Sequence, residues 1–392
     1  MTKKTTKSPR HSTRKGSAQG QGLVQGADTR VLVSILLLAS MGMVMSYSTT
    51  ATLALDQTLP PLFLRHVSAL AVGLTMAAVI MWTPIDKWRR LALPLWLLSL
   101  GLLLAVEFFG VKVNGAQRWL EVPGLGFRFQ PVEMCKLTTL LLVATLVARR
   151  DGRDELSGTR TLIAASLALP PMALLLLQPD LGNAVLLAGL VGLLLIVAGT
   201  RLSRLIAPGL VGIAGIAAYV SYNPYALRRI TGFMNPWATS QGEGYQLTQS
   251  FVAFGRGGLF GVGLGNGQQK LAYLPEAHTD FILSLVAEEL GLVGVLVVLG
   301  GFVCLLVAGS RIAAHARDRF ALLVAFGMTS LLTLPAIINA AVVMGMLPTK
   351  GLTLPFLSYG RTSLVMCCVA LGLLLSAARE PAGSRSKARR KR

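Results

Sequence analysis

The sequence predicts an all-α polytopic membrane protein of about ten transmembrane helices, with one large extracytoplasmic loop between the seventh and eighth. Three observations carry that fold class. The 392 residues are 53% hydrophobic and 14% charged, with a mean hydropathy of +0.62. Several apolar runs reach or approach the roughly 20 residues that cross a hydrocarbon core of ~30 Å. The net charge of +20 sits in the tails and in short loops between the runs, whereas a nucleic-acid binder would gather it into a patch on a folded surface. No nucleic acid is expected as a partner.

Residues 1–30 are rich in Lys, Arg, Ser, Thr, Gly and Gln. With almost nothing to bury, they read as a disordered basic tail. The run at 31–48 is followed by no small-residue cleavage signature, so it reads as a retained helix that opens a membrane domain over 31–378. Further spans are expected at 65–82, 91–109, 132–148, 161–177, 182–200, 205–222, 281–310, 320–347 and 362–378. A second basic tail, 379–392, closes the chain. Ten spans place both termini on one side of the membrane, and on that side lie 26 of the 37 Lys and Arg. The positive-inside rule makes that side cytoplasmic, and the loop 223–280 faces out. Pro170-Pro171 and Pro335 are expected to kink their spans and free carbonyls toward a cavity. The four cysteines, Cys135, Cys304, Cys367 and Cys368, lie inside apolar runs without metal-ligand spacing and read as small packing residues.

Four outward polar groups stand out. Arg118 and Trp119 follow Asn114-Gly115, and Glu133 and Lys136 open the next helix one turn apart on one face. This pair reads either as an intrahelical ion pair or as part of a site, since ionisable pairs at membrane depth are functional candidates. Gln178-Pro179-Asp180 is a tight turn whose Asp180 can cap the following helix. The loop 223–280 carries Arg228, Arg229, Arg256, Lys270 and a run of glycines. Gly261-Val262-Gly263-Leu264-Gly265 follows no strand, which argues against a nucleotide loop. Beside Arg256 and Lys270 it is nonetheless suited to a pyrophosphate. The loop ends in Glu276-Ala277-His278-Thr279-Asp280, where Asp280 meets the start of a long apolar helix. Asp280 reads as a helix cap or as a reaction centre, and the crowding of Glu276, His278, Arg256 and Lys270 favours the second. The fourth group, 348–360, holds Lys350, Ser358 and two prolines and reads as a cavity-lining loop.

Taken in order, the motifs Gly-Ala-x-Arg-Trp, Gln-Pro-x-Glu-x-x-Lys, Gln-Pro-Asp-Leu-Gly, Gly-Tyr-Gln and Leu-Pro-Glu-Ala-His-Thr-Asp-Phe resemble the SEDS family (shape, elongation, division and sporulation) of peptidoglycan glycosyltransferases. The match runs from about 113 to 363 and looks most like the division branch. It departs at Arg361-Thr362, where the family usually has Gly-Ser, and at Val132, where a small residue is usual. The resemblance implies polymerisation of the lipid-linked disaccharide lipid II on a glycan held by undecaprenyl pyrophosphate, during septal wall synthesis. It makes Asp280 the essential acidic residue and places Arg118, Trp119, Glu133 and Lys136 in an outer cavity. Asp280 would act as general base on the acceptor hydroxyl. Some of Arg118, Lys136, Arg228, Arg256 and Lys270 would stabilise the leaving pyrophosphate, with Mg or Mn as an optional helper. An α-linked donor giving a β-linked product implies a single inverting displacement. The implied partners are a class B penicillin-binding protein, a transpeptidase, and other division proteins, at the septum of the bacterial inner membrane. The alternatives are a lipid II flippase, which Glu288-Glu289 deeper in the helix would suit, and a noncatalytic division scaffold.

Overall fold

The computed structural model describes residues 13–51, 59–113, 116–122, 124, 127–148, 156–316 and 318–379. Residues 1–12 and 380–392, parts of the two expected tails, lie outside it, as do Asn114-Gly115 and the loop arginines at 149–153. The first helix, α1 (Thr13–Ala51), begins within the stretch read as a tail, with side chains described from Thr29.

Among the described residues, eight helical segments are long and apolar enough to cross a membrane. They are α1 from Thr29, α2 (Pro61–Trp82), α3 (Ile85–Phe109), the pair α5 (Gly158–Ser166) and α6 (Leu169–Leu177), α8 (Leu202–Tyr222), α11 (Ile282–His315), α12 (Arg319–Val343) and α13 (Arg361–Ala378). The remaining two expected spans form α4 (Pro131–Val147) and α7 (Leu181–Val197). At 17 residues each they reach about 25 Å at 1.5 Å per residue, short of a full crossing. The expected count of ten therefore rests on these two helices.

The core lies around α12 and α13, whose apolar windows are 72% buried, whereas no residue of α8 is buried. Close approach is built from small residues: a Cβ at Gly73 on α2 would sit 2.9 Å from the Cys368 sulfur of α13, and one at Gly372 would meet the Ala77 backbone. This is how helices pack where lipid offers no hydrophobic drive. All four cysteines are free.

Proline acts differently at the two expected kinks. Between Ser166 and Leu169 the fifth span breaks into α5 and α6 just ahead of Pro170-Pro171, where the missing N–H groups cannot continue the ladder. Pro335 lies inside a continuous α12.

Two outer segments expected as loops carry structure. Three strands, β1 (Val111–Val113), β2 (Ala116–Val122) and β3 (Phe127–Phe129), form a small antiparallel sheet in that spatial order, with Val111 opposite Trp119 and Leu120 opposite Phe129. Its valines and aromatics suit a pleated, half-buried surface. Residues 223–280 hold α9 (Pro224–Met234), α10 (Tyr245–Gly257) and a π-helical turn, Gln269–Tyr273.

Candidate functional site

Asp280 lies two residues before α11, in a turn closed by Thr279 and Asp280 N–H groups that both donate to the Glu276 carbonyl. Glu276 itself is held at φ +55°, and its carboxylate accepts from the Thr279 hydroxyl at 2.8 Å. The loop 348–360 grips this turn along its backbone. Tyr359 N–H donates to the His278 carbonyl at 2.8 Å, and the Ser358 hydroxyl donates to the Thr279 carbonyl. Asn339 of α12 donates to the Asp280 carbonyl at 2.7 Å.

The carboxylate of Asp280 is thereby laid against Gly351, where a Cβ would come within 3.1 Å of Oδ2. Withdrawal from water, and after it the Glu276 carboxylate, raise its pKa to about 7 against the downward pull of Arg229 and Arg118. Asp180 adds a smaller upward push. Among the described residues no hydrogen bond reaches the Asp280 carboxylate. An acid with a pKa near neutrality and free lone pairs is matched to proton transfer at physiological pH.

A connected polar chain runs beside it. Arg118 of β2 donates to the Gln178 and Pro179 carbonyls and lies 3.9 Å from Asp180. Asp180 caps α7 by accepting from Asn183 N–H at 3.2 Å and also accepts from the Asn183 amide at 2.8 Å. The Asn183 oxygen accepts from Lys136 at 3.1 Å, and Lys136 pairs with Glu133 at 2.8 Å. Next to this chain an open cavity is lined by Gln130, Glu133, Lys136, Asn183, Thr353 and Ser363, with Leu331, Pro335 and Met366 as apolar walls. Gly351 also lines it, so the cavity and the Asp280 carboxylate share one backbone position.

Arg256 and Lys270 belong to a second polar cluster. Lys270 pairs with Glu289 at 2.7 Å, and Ser48 of α1 bridges both. Glu288 accepts from Gln268 and Gln269 N–H and lies 3.6 Å from Arg256. The glycine turn packs into a break in α11 at Gly291 (φ +68°, ψ −165°). Val262 and Gly263 N–H donate to the Glu288 and Glu289 carbonyls, while Leu292 and Val293 N–H donate back to Gly258 and Leu259. Gly257 allows this contact, because a Cβ there would lie 1.8 Å from the Ala287 carbonyl. The amides that suited a pyrophosphate in the sequence are thus turned inward.

A family model described as "Cell cycle protein", FTSW_RODA_SPOVE, matches residues 28–382. The chain belongs to this family. It is 41% identical over 353 residues to the "Probable peptidoglycan glycosyltransferase FtsW" of Trichlorobacter lovleyi, covering 89% of this chain and 92% of that one. It is likewise 41% identical to the protein of that name from Pseudomonas fluorescens, covering 89% and 87%. Among solved structures, a chain of a complex described under "Structural coordination of polymerization and crosslinking by a peptidoglycan synthase complex" superposes with TM-score 0.74 at 30% identity, covering 89% of this chain and 96% of that one. The rod shape determining protein RodA of Thermus thermophilus gives 0.66 at 29%, covering 90% and 97%.

Within this family member, the structure brings Asp280, Glu276, Arg118, Glu133, Lys136, Lys350 and Ser358 to one region. Lys350 packs against Gly182 beside Asp180, and burial pulls its ammonium below the usual range against the pull of Asp180. His278 presents its ring to Tyr359, with centroids 5.8 Å apart. Trp119 falls on the opposite face of β2 from Arg118 by strand alternation. Arg228 is exposed on α9, and it is Arg229 that reaches inward, donating to the Thr349 carbonyl at 3.0 Å. Adjacent arginines on a helix point about 100° apart, and the sequence alone does not say which faces in. Asn183, Asn339 and Gly351 are further members that sequence reading passed over. The departures from the family pattern are accommodated. Thr362 is buried between Gln130 N–H and the Arg128 carbonyl, Arg361 opens α13, and Val132 is buried.

Among the described residues no three His, Cys, Asp or Glu side chains converge on a point where a metal ion could be held.

Proposed function

We propose that this chain is a peptidoglycan glycosyltransferase that polymerises lipid II at the division septum, with Asp280 as general base. The observation that carries this is the Asp280 carboxylate, raised toward neutrality and held without a hydrogen bond among the described residues at the edge of a polar cavity. In that position it can take the proton of the acceptor sugar hydroxyl as oxygen attacks the anomeric carbon of the donor glycan. The C–O bond to undecaprenyl pyrophosphate breaks on the opposite face, and the developing negative charge falls to Arg118, Arg229 and Lys350, the cations nearest Asp280 and Asp180. Lys136 is neutralised by Glu133, so the cavity suits the uncharged sugar. The relatives' names and the likeness to a synthase complex support this reading, with a class B penicillin-binding protein as partner.

Both termini are assigned to the cytoplasm from the distribution of basic residues. A cysteine at Ser240 should then be labelled by an impermeant reagent in intact cells and one at Ser157 should not. The flippase alternative drew on Glu288 and Glu289, and these side chains instead hold the glycine turn to α11. Detergent micelles have no two sides to transport between. Purified protein with its transpeptidase in detergent should therefore turn lipid II into long glycan, while Asp280→Asn should yield none. A wild-type preparation that forms no glycan under these conditions, yet moves lipid II across vesicles, would replace the proposal.

A further inference from the structure

We infer that Asn339 is a positioning residue for the reaction, its amide nitrogen fixing the distance between the Asp280 carboxylate and the loop that faces it. Asn339 is buried on α12, and its amide donates to two backbone carbonyls from separate segments: Asp280 at 2.7 Å and Leu352 at 2.8 Å. Both neighbours are acceptors, so the nitrogen must face them and the oxygen must face away. That oxygen is buried without a hydrogen-bond partner among the described residues. A buried polar atom left unpaired is a standing cost. The surrounding positions on α12, Ala336, Ala340 and Val343, are apolar and buried, so packing alone would favour an apolar residue here.

What the amide achieves is a bridge. Leu352 follows Gly351, whose backbone lies against Asp280 Oδ2, so tying the carbonyls of 280 and 352 to one side chain sets how closely carboxylate and loop approach. The Ser358 and Tyr359 bonds hold residues 278 and 279, and Asn339 grips the carbonyl of residue 280, whose N–H is held within the turn by Glu276. Without it the carboxylate can swing from Gly351 toward water. The charged groups that face Asp280 are Glu276 of its own turn, Arg229 of α9, Arg118 of β2 and Asp180 at the start of α7. Asn339 contacts none of them, so its loss acts through exposure of the carboxylate, which lowers the pKa.

This inference rests on the reading of Asp280 as base, and the test separates the two. Full-length wild type, Asn339→Ala and Asn339→Ser are compared with the partner transpeptidase in detergent, with lipid II as substrate across pH 5.5 to 9. The expected result is a kcat reduced about tenfold or more in Asn339→Ala, a KM within about twofold, and an acid limb displaced to lower pH. Asn339→Ser keeps one donor and should lie between. Ser250→Ala removes a different buried bond to α12, from Ser250 to the Val343 carbonyl, and should lower thermal stability without moving the limb. Folded Asn339 variants that keep the wild-type limb, a change confined to KM, or failure of both variants to fold would each overturn the inference. Absence of an acid limb in the wild type would instead overturn the reading of Asp280.

Discussion

Asp280 and Glu288 are eight residues apart on one stretch of chain, yet their carboxylates are treated in opposite ways. Glu288 accepts from two backbone N–H groups and faces Arg256, and its neighbour Glu289 accepts from Lys270, Ser48 and Gly265 N–H. Asp280 is anchored only through its backbone, and its side chain is pressed on a glycine with no hydrogen bond among the described residues. Charge is common to the two clusters; Glu288 and Glu289 are buried and Asp280 is half-buried, and only at the glutamates are the lone pairs already used among the described residues. A saturated carboxylate is costly to remove and chemically idle, while an unsaturated one with a raised pKa is poised to take a proton.

The largest effect that sharpens this contrast is at the saturated cluster. Lys270→Met leaves Glu289 buried without its cation, which for a buried pair costs about 3–5 kcal/mol. The variant should show a marked loss of thermal stability in detergent, and Lys270→Met combined with Glu289→Leu should recover part of it. Equal stability of single and double variants would mean that the pair is not coupled.

The next effect is in the pH dependence at the unsaturated cluster. A base must be deprotonated to act, so kcat/KM should rise with pH up to about 7, where the Asp280 carboxyl titrates, and level off above it. Arg229 holds that pKa down. Arg229→Ala should therefore carry the limb to higher pH, on top of a loss at all pH values from the missing leaving-group cation, so that activity falls most on the acid side. A limb that moves the other way would remove Arg229 from the field of Asp280.

The smallest effect is at the contact itself. In Gly351→Ala the new methyl carbon would stand 3.1 Å from Asp280 Oδ2, so the carboxylate must shift by a few tenths of an ångström. A misplacement of about 1 Å can cost 10²-fold, and this lesser one should cost several-fold in kcat at unchanged stability. Full activity would show that the carboxylate is not held against this position during reaction.

Much of this contrast was legible in the sequence, and the parts that were not have physical reasons. The apolar runs, the placement of basic residues and Asp280 at a helix mouth follow from hydropathy and local spacing. The i, i+3 spacing of Glu133 and Lys136 already implied the pair seen at 2.8 Å. The roles of Arg256 and Lys270 were not legible, because they are set by Glu288 and Glu289 meeting a turn some twenty residues upstream. The break at Gly291 that admits the turn gives no sign in an otherwise helical run. Asn339 reads as an ordinary polar residue in a span until its two carbonyl partners, 59 and 13 residues away, are brought to it. The β2 strand was hidden in a short outer loop, and with it the alternation that separates Arg118 from Trp119.

The most direct test measures kcat and thermal stability together in Asp280→Asn and Glu289→Gln. The account predicts that Asp280→Asn unfolds at the wild-type temperature but loses lipid II polymerisation by 10²-fold or more, the scale of a missing general base. Glu289→Gln should lose stability while the fraction that remains folded keeps polymerising. A stable, inactive Glu289→Gln beside a partly active Asp280→Asn would contradict the account and move the chemistry to the inner cluster.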